Sequence, residues 1–168
     1  MNAPDNTEFN LWFEYDLFCQ VNMWFVISII NSLSIQKKVY AVYTSYLDRT
    51  SKQFWNGFGP ANASELKICY ADRTPLNDID LQLGQDLWTA YKSGNLEELV
   101  RLANNRSSAF PYLQEVVKAH VDRFQKTGQK EDLKKLLKTS QRMFLPTFIK
   151  CLQSFGTGKV FMALVIFN

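Results

Sequence analysis

The feature that most constrains this chain is the stretch of residues 11–44, LWFEYDLFCQVNMWFVISIINSLSIQKKVYAVYT. Residues 9–15 and 39–43 are short and almost continuously apolar, which is typical of strands buried on both faces of a parallel sheet. Between them, apolar residues recur at helical spacing over residues 17–33 and cover most of the helix circumference. A strand, a helix and a strand in so short a stretch predict a parallel βαβ unit with a buried helix.

The predicted fold class is α/β: an incomplete Rossmann-like parallel βαβ unit followed by a mainly helical C-terminal part. Two strands alone do not make a stable open sheet, and the rest of the chain supplies few further strand-like runs. The missing strands are therefore expected upstream of residue 1. We predict a partial sheet unit over residues 1–45, a helical cap over residues 46–127 and a poorly packed tail over residues 128–168. The helical patterns of the cap cover residues 63–70, 77–92, 96–103 and 112–124.

A membrane-spanning interpretation of the central helix is less favourable than a buried core helix. Residues 17–36 carry no charge and, as a helix, match the thickness of a bilayer. Their amide and hydroxyl side chains are costly in lipid, so no membrane partner is expected. The three cysteines, Cys19, Cys69 and Cys151, lack metal-ligand spacing and form an odd set. Such thiols are typical of the cytoplasm, where no disulfide-linked partner is expected.

The candidate site lies where the first predicted strand ends, because Glu14 and Asp16 bracket that end and Gln20 follows one turn into the helix. In open α/β sheets, ligands bind beyond the carboxyl ends of the strands. Paired carboxylates there can bind a metal, orient a ribose hydroxyl or act as acid and base. The alternative is structural, with Asp16 as a helix cap. The charge of Glu14 is then neutralised by Arg49 or Arg73.

Other residues with catalytic potential lack the partners that they would need. His120 is the only histidine, which favours a packing or surface role. Cys19 lies near a predicted helix N-terminus, where a thiolate is favoured, but a catalytic pair would require His120 close by. Residues 155–160, FGTGKV, depart from a phosphate-binding loop, because Val160 follows the lysine and Gln153 occupies the place of the first glycine. The residues therefore assign no cofactor and no metal.

The basic residues are concentrated near the C-terminus of a chain whose net charge is +3, from 19 basic and 16 acidic residues. The charged residues of that region are Lys126, Lys130, Lys134, Lys135, Lys138, Arg142, Lys150 and Lys159, against Glu131 and Asp132. A basic surface can bind nucleic acid or an anionic membrane. A solvated helix face is the commoner explanation. A nucleic-acid partner is therefore not expected.

Four segments of the chain carry a family resemblance. Residues 12–22 read WFEYDLFCQVN, and further similar segments are residues 73–76, residues 83–91 (LGQDLWTAY) and residues 110–124 (FPYLQEVVKAHVDRF). In combination they resemble a bacterial family of uncharacterised proteins, the domain-of-unknown-function family eighteen thirty-five. The resemblance covers about residues 9–127. It implies a cytosolic α/β domain with a helical C-terminal part, and it implies no activity.

Two departures from the family pattern affect how the chain ends are interpreted. Family members begin with further strands, so the resemblance implies that this chain is truncated at its N-terminus. They end with a stretch similar to E-F-W-x-R-E-G-I-Y-G-F-G-D-x-Q, whereas residues 154–168 read SFGTGKVFMALVIFN. A codon set for these residues, read in a shifted frame, gives F-W-N-R-E-G-I-Y-G-F-G-D-I-Q. We therefore expect a frameshift near residues 127–130 and an out-of-frame tail after it.

Three classes of function follow. The first is an uncharacterised fragment of an α/β domain that bound a ligand or catalysed a reaction at the carboxyl end of the first strand, and that is inactive as translated. The second is a regulatory or protein-interaction module, favoured by the aromatic content of 14% and by the lack of a nucleophile–base pair. Nucleic-acid binding comes third, because it depends on the tail.

Overall fold

Two parallel strands and the helix between them form the centre of the fold in the computed structural model, which describes residues 6–44, 57–59 and 61–127, with side chains to residue 124. The elements in chain order are β1 (Thr7–Trp12), α1 (Leu17–Asn31), β2 (Lys37–Val42), α2 (Ala63–Ala71), β3 (Thr74–Leu76), α3 (Asp78–Ser93), α4 (Leu96–Ala103) and α5 (Leu113–Thr127). The expected tail over residues 128–168 lies outside the described residues.

The sheet in the described part of the chain has the order β1-β2-β3. β1 and β2 are parallel, with Thr7 opposite Lys37 and Trp12 opposite Val42. This confirms the α/β class and the predicted parallel pair. β3 then pairs antiparallel with β2, so the sheet is mixed.

The first strand ends earlier than predicted, at Trp12 instead of Tyr15. The N–H of Phe13 still donates to the carbonyl of Val42 at 3.4 Å, but the chain then leaves the sheet. The carbonyl of Glu14 accepts a hydrogen bond from a side chain of α1, and Tyr15 stacks on Tyr43. The turn into α1 therefore occupies residues that the apolar pattern had assigned to the strand.

β3 is a correction to the predicted cap over residues 46–127, for which only helices were expected. The strand has three residues, and its central Pro75 lacks the N–H that a ladder normally uses, so the sequence carries no strand pattern there. Proline is tolerated at the edge of a sheet, where Pro75 lies opposite Tyr40. Pairing with β2 makes this segment part of the sheet.

Asparagine caps determine where three of the helices begin. The side chains of Asn62 and Asn77 each accept a hydrogen bond from the backbone three residues on, within capping boxes at α2 and α3. Asn95 caps α4 through one hydrogen bond, which its side chain accepts from the N–H of Glu98. Gly94 ends α3 in a left-handed conformation, with a φ of 69°, which glycine adopts without a steric penalty.

The core lies on both faces of the sheet, because successive strand residues point to opposite sides. On one face, Phe9 and Leu11 pack with α1 and with residues from α3, α4 and α5. On the other, Trp12 and Val42 pack with Phe58 and residues of α2 in a smaller cluster. The buried state of α1 agrees with the predicted core helix. Among the described residues, no helix has the length and apolarity needed to cross a membrane.

The tight packing of α3 against α1 at Gly84 predicts a stability effect there. A Cβ atom added there would lie 2.6 Å from Cγ2 of the buried Ile27. Alanine gains about 1 kcal/mol of helix propensity over glycine, but overpacking a core contact costs about 1–3 kcal/mol. We expect Gly84→Ala to lower the free energy of unfolding, measured by urea denaturation. An Ile27→Ala background removes Cγ2 and Cδ1 but keeps the Cβ atom, which lies 3.1 Å from the added one, so the same change should cost less there. Equal effects in both backgrounds would contradict the steric explanation.

Candidate functional site

The candidate site begins at the turn between β1 and α1, where Asp16 caps the helix as predicted. Asp16 has extended backbone angles, φ −67° and ψ 158°, which direct its side chain toward the first turn of α1. Its Oδ1 atom accepts hydrogen bonds from the N–H groups of Phe18 at 2.9 Å and Cys19 at 3.1 Å. The carboxylate is thereby held at the positive end of the helix dipole.

Glu14 is held in place by a segment distant in sequence. Its Oε1 atom accepts a hydrogen bond from the N–H of Phe58 at 2.8 Å. The predicted neutralisation by Arg73 is wrong, because the Arg73 guanidinium lies 3.8 Å from Glu8 and between the rings of Tyr40 and Tyr70. The alternative partner, Arg49, lies outside the described residues. The backbone N–H of Phe58 therefore interacts with Glu14 where an arginine side chain had been expected.

Gln20, the third predicted site residue, supports the turn from inside. Its side chain is only 4% exposed, and Nε2 donates to the carbonyl of Glu14 at 2.8 Å. The amide thus ties the end of β1 to the first turn of α1. Gln20 therefore bonds to the backbone of Glu14 and not to a ligand position. The carboxylates of Glu14 and Asp16 instead lie close to another residue of α1.

That residue is Cys19, which sequence spacing had not placed in the site. One ligand-type atom from each of Glu14, Asp16 and Cys19 lies within 4.8 Å of the others. Burial, followed by the hydrogen bond to Asp16 and the charge of that carboxylate, raises the pKa of the Cys19 thiol to about 12. The thiol is therefore protonated at neutral pH, which disfavours a nucleophilic role.

His120 lies elsewhere, so the structure does not build a Cys–His pair from it. Its ring packs against Tyr91, with centroids 4.8 Å apart, and against Phe124 at 4.9 Å. The residue is 3% exposed and lies on α5 in the helical part of the core. Its position matches the packing role that its isolation in the sequence favoured.

Tyrosine rings form the apolar neighbourhood of the turn. Tyr15 stacks on Tyr43 with centroids 4.8 Å apart, and Tyr112 meets Tyr15 edge-on at 4.3 Å. The Tyr43 hydroxyl donates to the carbonyl of Ala109 at 2.7 Å, which ties the loop before α5 to the end of β2. Burial raises the pKa of both Tyr15 and Tyr43, so these hydroxyls stay neutral at physiological pH.

The arrangement offers two carboxylates and one thiol at the carboxyl end of a parallel strand. Carboxylate oxygen and thiolate sulfur are ligands that proteins use for Zn²⁺, and three protein ligands leave one position for water or substrate. Backbone N–H groups donate to Oδ1 of Asp16 and to Oε1 of Glu14. A carboxylate has two oxygens, and either can bind a cation.

Comparison with known proteins found no relative of this chain. No protein-family model matches the chain, and neither the curated proteins nor the solved structures give a match. The convergence of Glu14, Asp16 and Cys19 is therefore the feature on which a function can be based.

Proposed function

We propose that this chain is a ligand-binding α/β domain whose site, at the carboxyl end of β1, takes a divalent cation of the zinc class. The observation that carries the proposal is the convergence of Glu14, Asp16 and Cys19 within 4.8 Å. The position supports it, because ligands of open α/β sheets bind beyond the carboxyl ends of parallel strands. The proposal includes the Rossmann-like character of the βαβ unit and its membership of family eighteen thirty-five.

The donor set favours a soft or borderline cation over magnesium or calcium. Hard cations select oxygen ligands, whereas a thiolate beside carboxylates suits Zn²⁺. Burial, and then the neighbouring Asp16 carboxylate, raises the pKa of the Cys19 thiol and keeps the proton on sulfur in the absence of a cation. A bound cation reverses this, because metal coordination deprotonates a thiol. Binding is therefore expected to release a proton and to tighten as the pH rises.

The test is a titration with Co²⁺, which reports a bound thiolate through a charge-transfer absorption band. In a background with Cys151→Ser, since that residue lies outside the described chain, Co²⁺ should produce the band and Zn²⁺ should displace it. Cys19→Ala should abolish the band. Cys69→Ala is the matched control, because Cys69 is also a buried cysteine outside any disulfide but lies in the separate cluster at α2.

The carboxylate is tested by Asp16→Asn, which keeps a good N-cap while it removes the charge. We expect this variant to keep the thermal stability of the parent protein and to bind Co²⁺ more weakly. A band that persists in Cys19→Ala, or no band and no thermal shift with Zn²⁺, Co²⁺, Mn²⁺ or Mg²⁺, would reject the cation site. The second of these results would favour the regulatory or interaction module.

A further inference from the structure

We propose that the backbone of Gly57 and Phe58 is the positioning element for Glu14, and that cation binding is coupled through it to the docking of the 57–59 segment on the sheet. This inference rests on the proposed function, which supplies the cation. It adds a regulatory connection between the site and the chain that links β2 to α2.

The contact between the segment and the site is a charge-assisted hydrogen bond. The N–H of Phe58 donates to Oε1 of Glu14 at 2.8 Å across 44 residues of sequence. The carbonyl of Phe58 accepts from the N–H of Ala61 at 2.9 Å, so the donor belongs to a closed turn. A backbone donor on one carboxylate oxygen fixes the direction of the other, which is the usual role of a group that orients a metal ligand.

The side chain of Phe58 anchors this donor to the sheet. The ring is buried beside Trp12, with centroids 5.4 Å apart, and packs in the cluster of Val42 and Cys69. Full burial of a phenylalanine contributes about 1.5–3 kcal/mol. The buried ring therefore holds the docked segment, and with it the donor N–H, against the sheet beside Glu14.

Gly57 shows how tightly the segment fits over the carboxylate. A Cβ atom added at Gly57 would lie 2.5 Å from Oε1 and 3.0 Å from Oε2 of Glu14. The carboxylate is the end of a flexible side chain, so an added methyl group would displace it and leave the backbone of the segment in place. Glycine at this position is what lets Glu14 lie under the segment and face the site.

The coupling is reciprocal by thermodynamic necessity. If a docked segment holds Glu14 in its binding geometry, the docked form binds the cation more tightly, and the cation in turn favours the docked form. Loss of an orienting group typically weakens metal affinity by about 10–100-fold. The same loss should speed hydrogen exchange at the Phe58 amide, because that amide is the donor.

The experiment compares Gly57→Ala with Gly59→Ala. Gly59 is a matched control in the same segment, since a Cβ atom there would meet nothing within 4 Å. We expect Gly57→Ala to weaken Co²⁺ binding by about 10–100-fold and to speed exchange of the Phe58 amide, measured by NMR. Gly59→Ala should do neither. Zn²⁺ should slow exchange of the same amide in the parent protein.

Equal Co²⁺ affinities for the two glycine variants would overturn the positioning role. An exchange rate of the Phe58 amide that does not change with Zn²⁺ would overturn the coupling. If the parent protein binds no Co²⁺, the proposed function fails and the coupling fails with it. In that case the hydrogen exchange of the Phe58 amide still tests the positioning contact. Its protection must fall in Gly57→Ala and in Glu14→Ala, which removes the acceptor, but not in Gly59→Ala.

Discussion

Replacement of Trp24 by alanine is expected to lower the free energy of unfolding by about 3–5 kcal/mol. Trp24 is 1% exposed at the centre of α1, and its ring meets Tyr91 of α3 edge-on at 6.4 Å. The loss combines the transfer free energy of the indole with the cavity that it leaves between two packed helices. Urea denaturation followed by circular dichroism measures the effect.

Trp24→Phe is the informative control for this change. The indole Nε1 atom is buried without a hydrogen-bond partner, so phenylalanine removes volume without breaking a hydrogen bond. We expect it to cost well under half as much as alanine. If alanine costs less than about 1 kcal/mol, far below the usual range for a buried tryptophan, α1 is not the buried centre of the fold.

Acidification from pH 6.5 to pH 4 is expected to destabilise the protein by up to about 3 kcal/mol through His120 alone. Burial first, and then the charge of Arg123, lowers the pKa of His120 from its usual 6.5 to about 4. Above pH 6.5 the imidazole is neutral in both the folded and the unfolded chain, so it adds no pH dependence. Between pH 6.5 and pH 4 the imidazole is protonated in the unfolded chain but stays neutral in the folded chain. The free energy of unfolding therefore falls as the pH falls.

His120→Leu isolates this effect, because the chain has no other histidine. The groups that face the ring are Tyr91 from α3 and Arg123 and Phe124 from α5, and both ring nitrogens are buried without a hydrogen-bond partner. Leucine should therefore stabilise the protein by about 1–3 kcal/mol at neutral pH. The advantage should grow as the pH falls to 4. Parallel pH profiles for the two proteins would show that His120 does not titrate between them.

Interactions between residues that are close in the sequence could be predicted from the sequence alone. Asp16 caps α1, and Asn62, Asn77 and Asn95 cap three later helices, because a cap bonds to backbone two or three residues on. The apolar periodicity of residues 17–33 indicated a buried helix. The parallel pairing of β1 with β2 followed from the helix that connects them.

Two of the three converging residues of the candidate site could be predicted in the same way. Glu14 and Asp16 were identified because a strand end and a helix start fall between them. Cys19 was set aside for lack of a histidine, although its distance from the two carboxylates is what completes the cluster. Gln20 was expected beside the ligand, yet its amide bonds to the carbonyl of Glu14, since the turn brings that carbonyl over the first turn of α1.

The sequence by itself determined the βαβ unit and the starts of most helices, and it predicts a ligand site at the end of the first strand. Only the tertiary structure decided that Phe58 binds Glu14, that Gly84 faces Ile27 and that Pro75 lies in a strand. Each of these contacts joins segments far apart in the chain, so no local pattern encodes it. Their geometry arises when the helices and the sheet pack together, because packing selects which distant groups come within bonding distance.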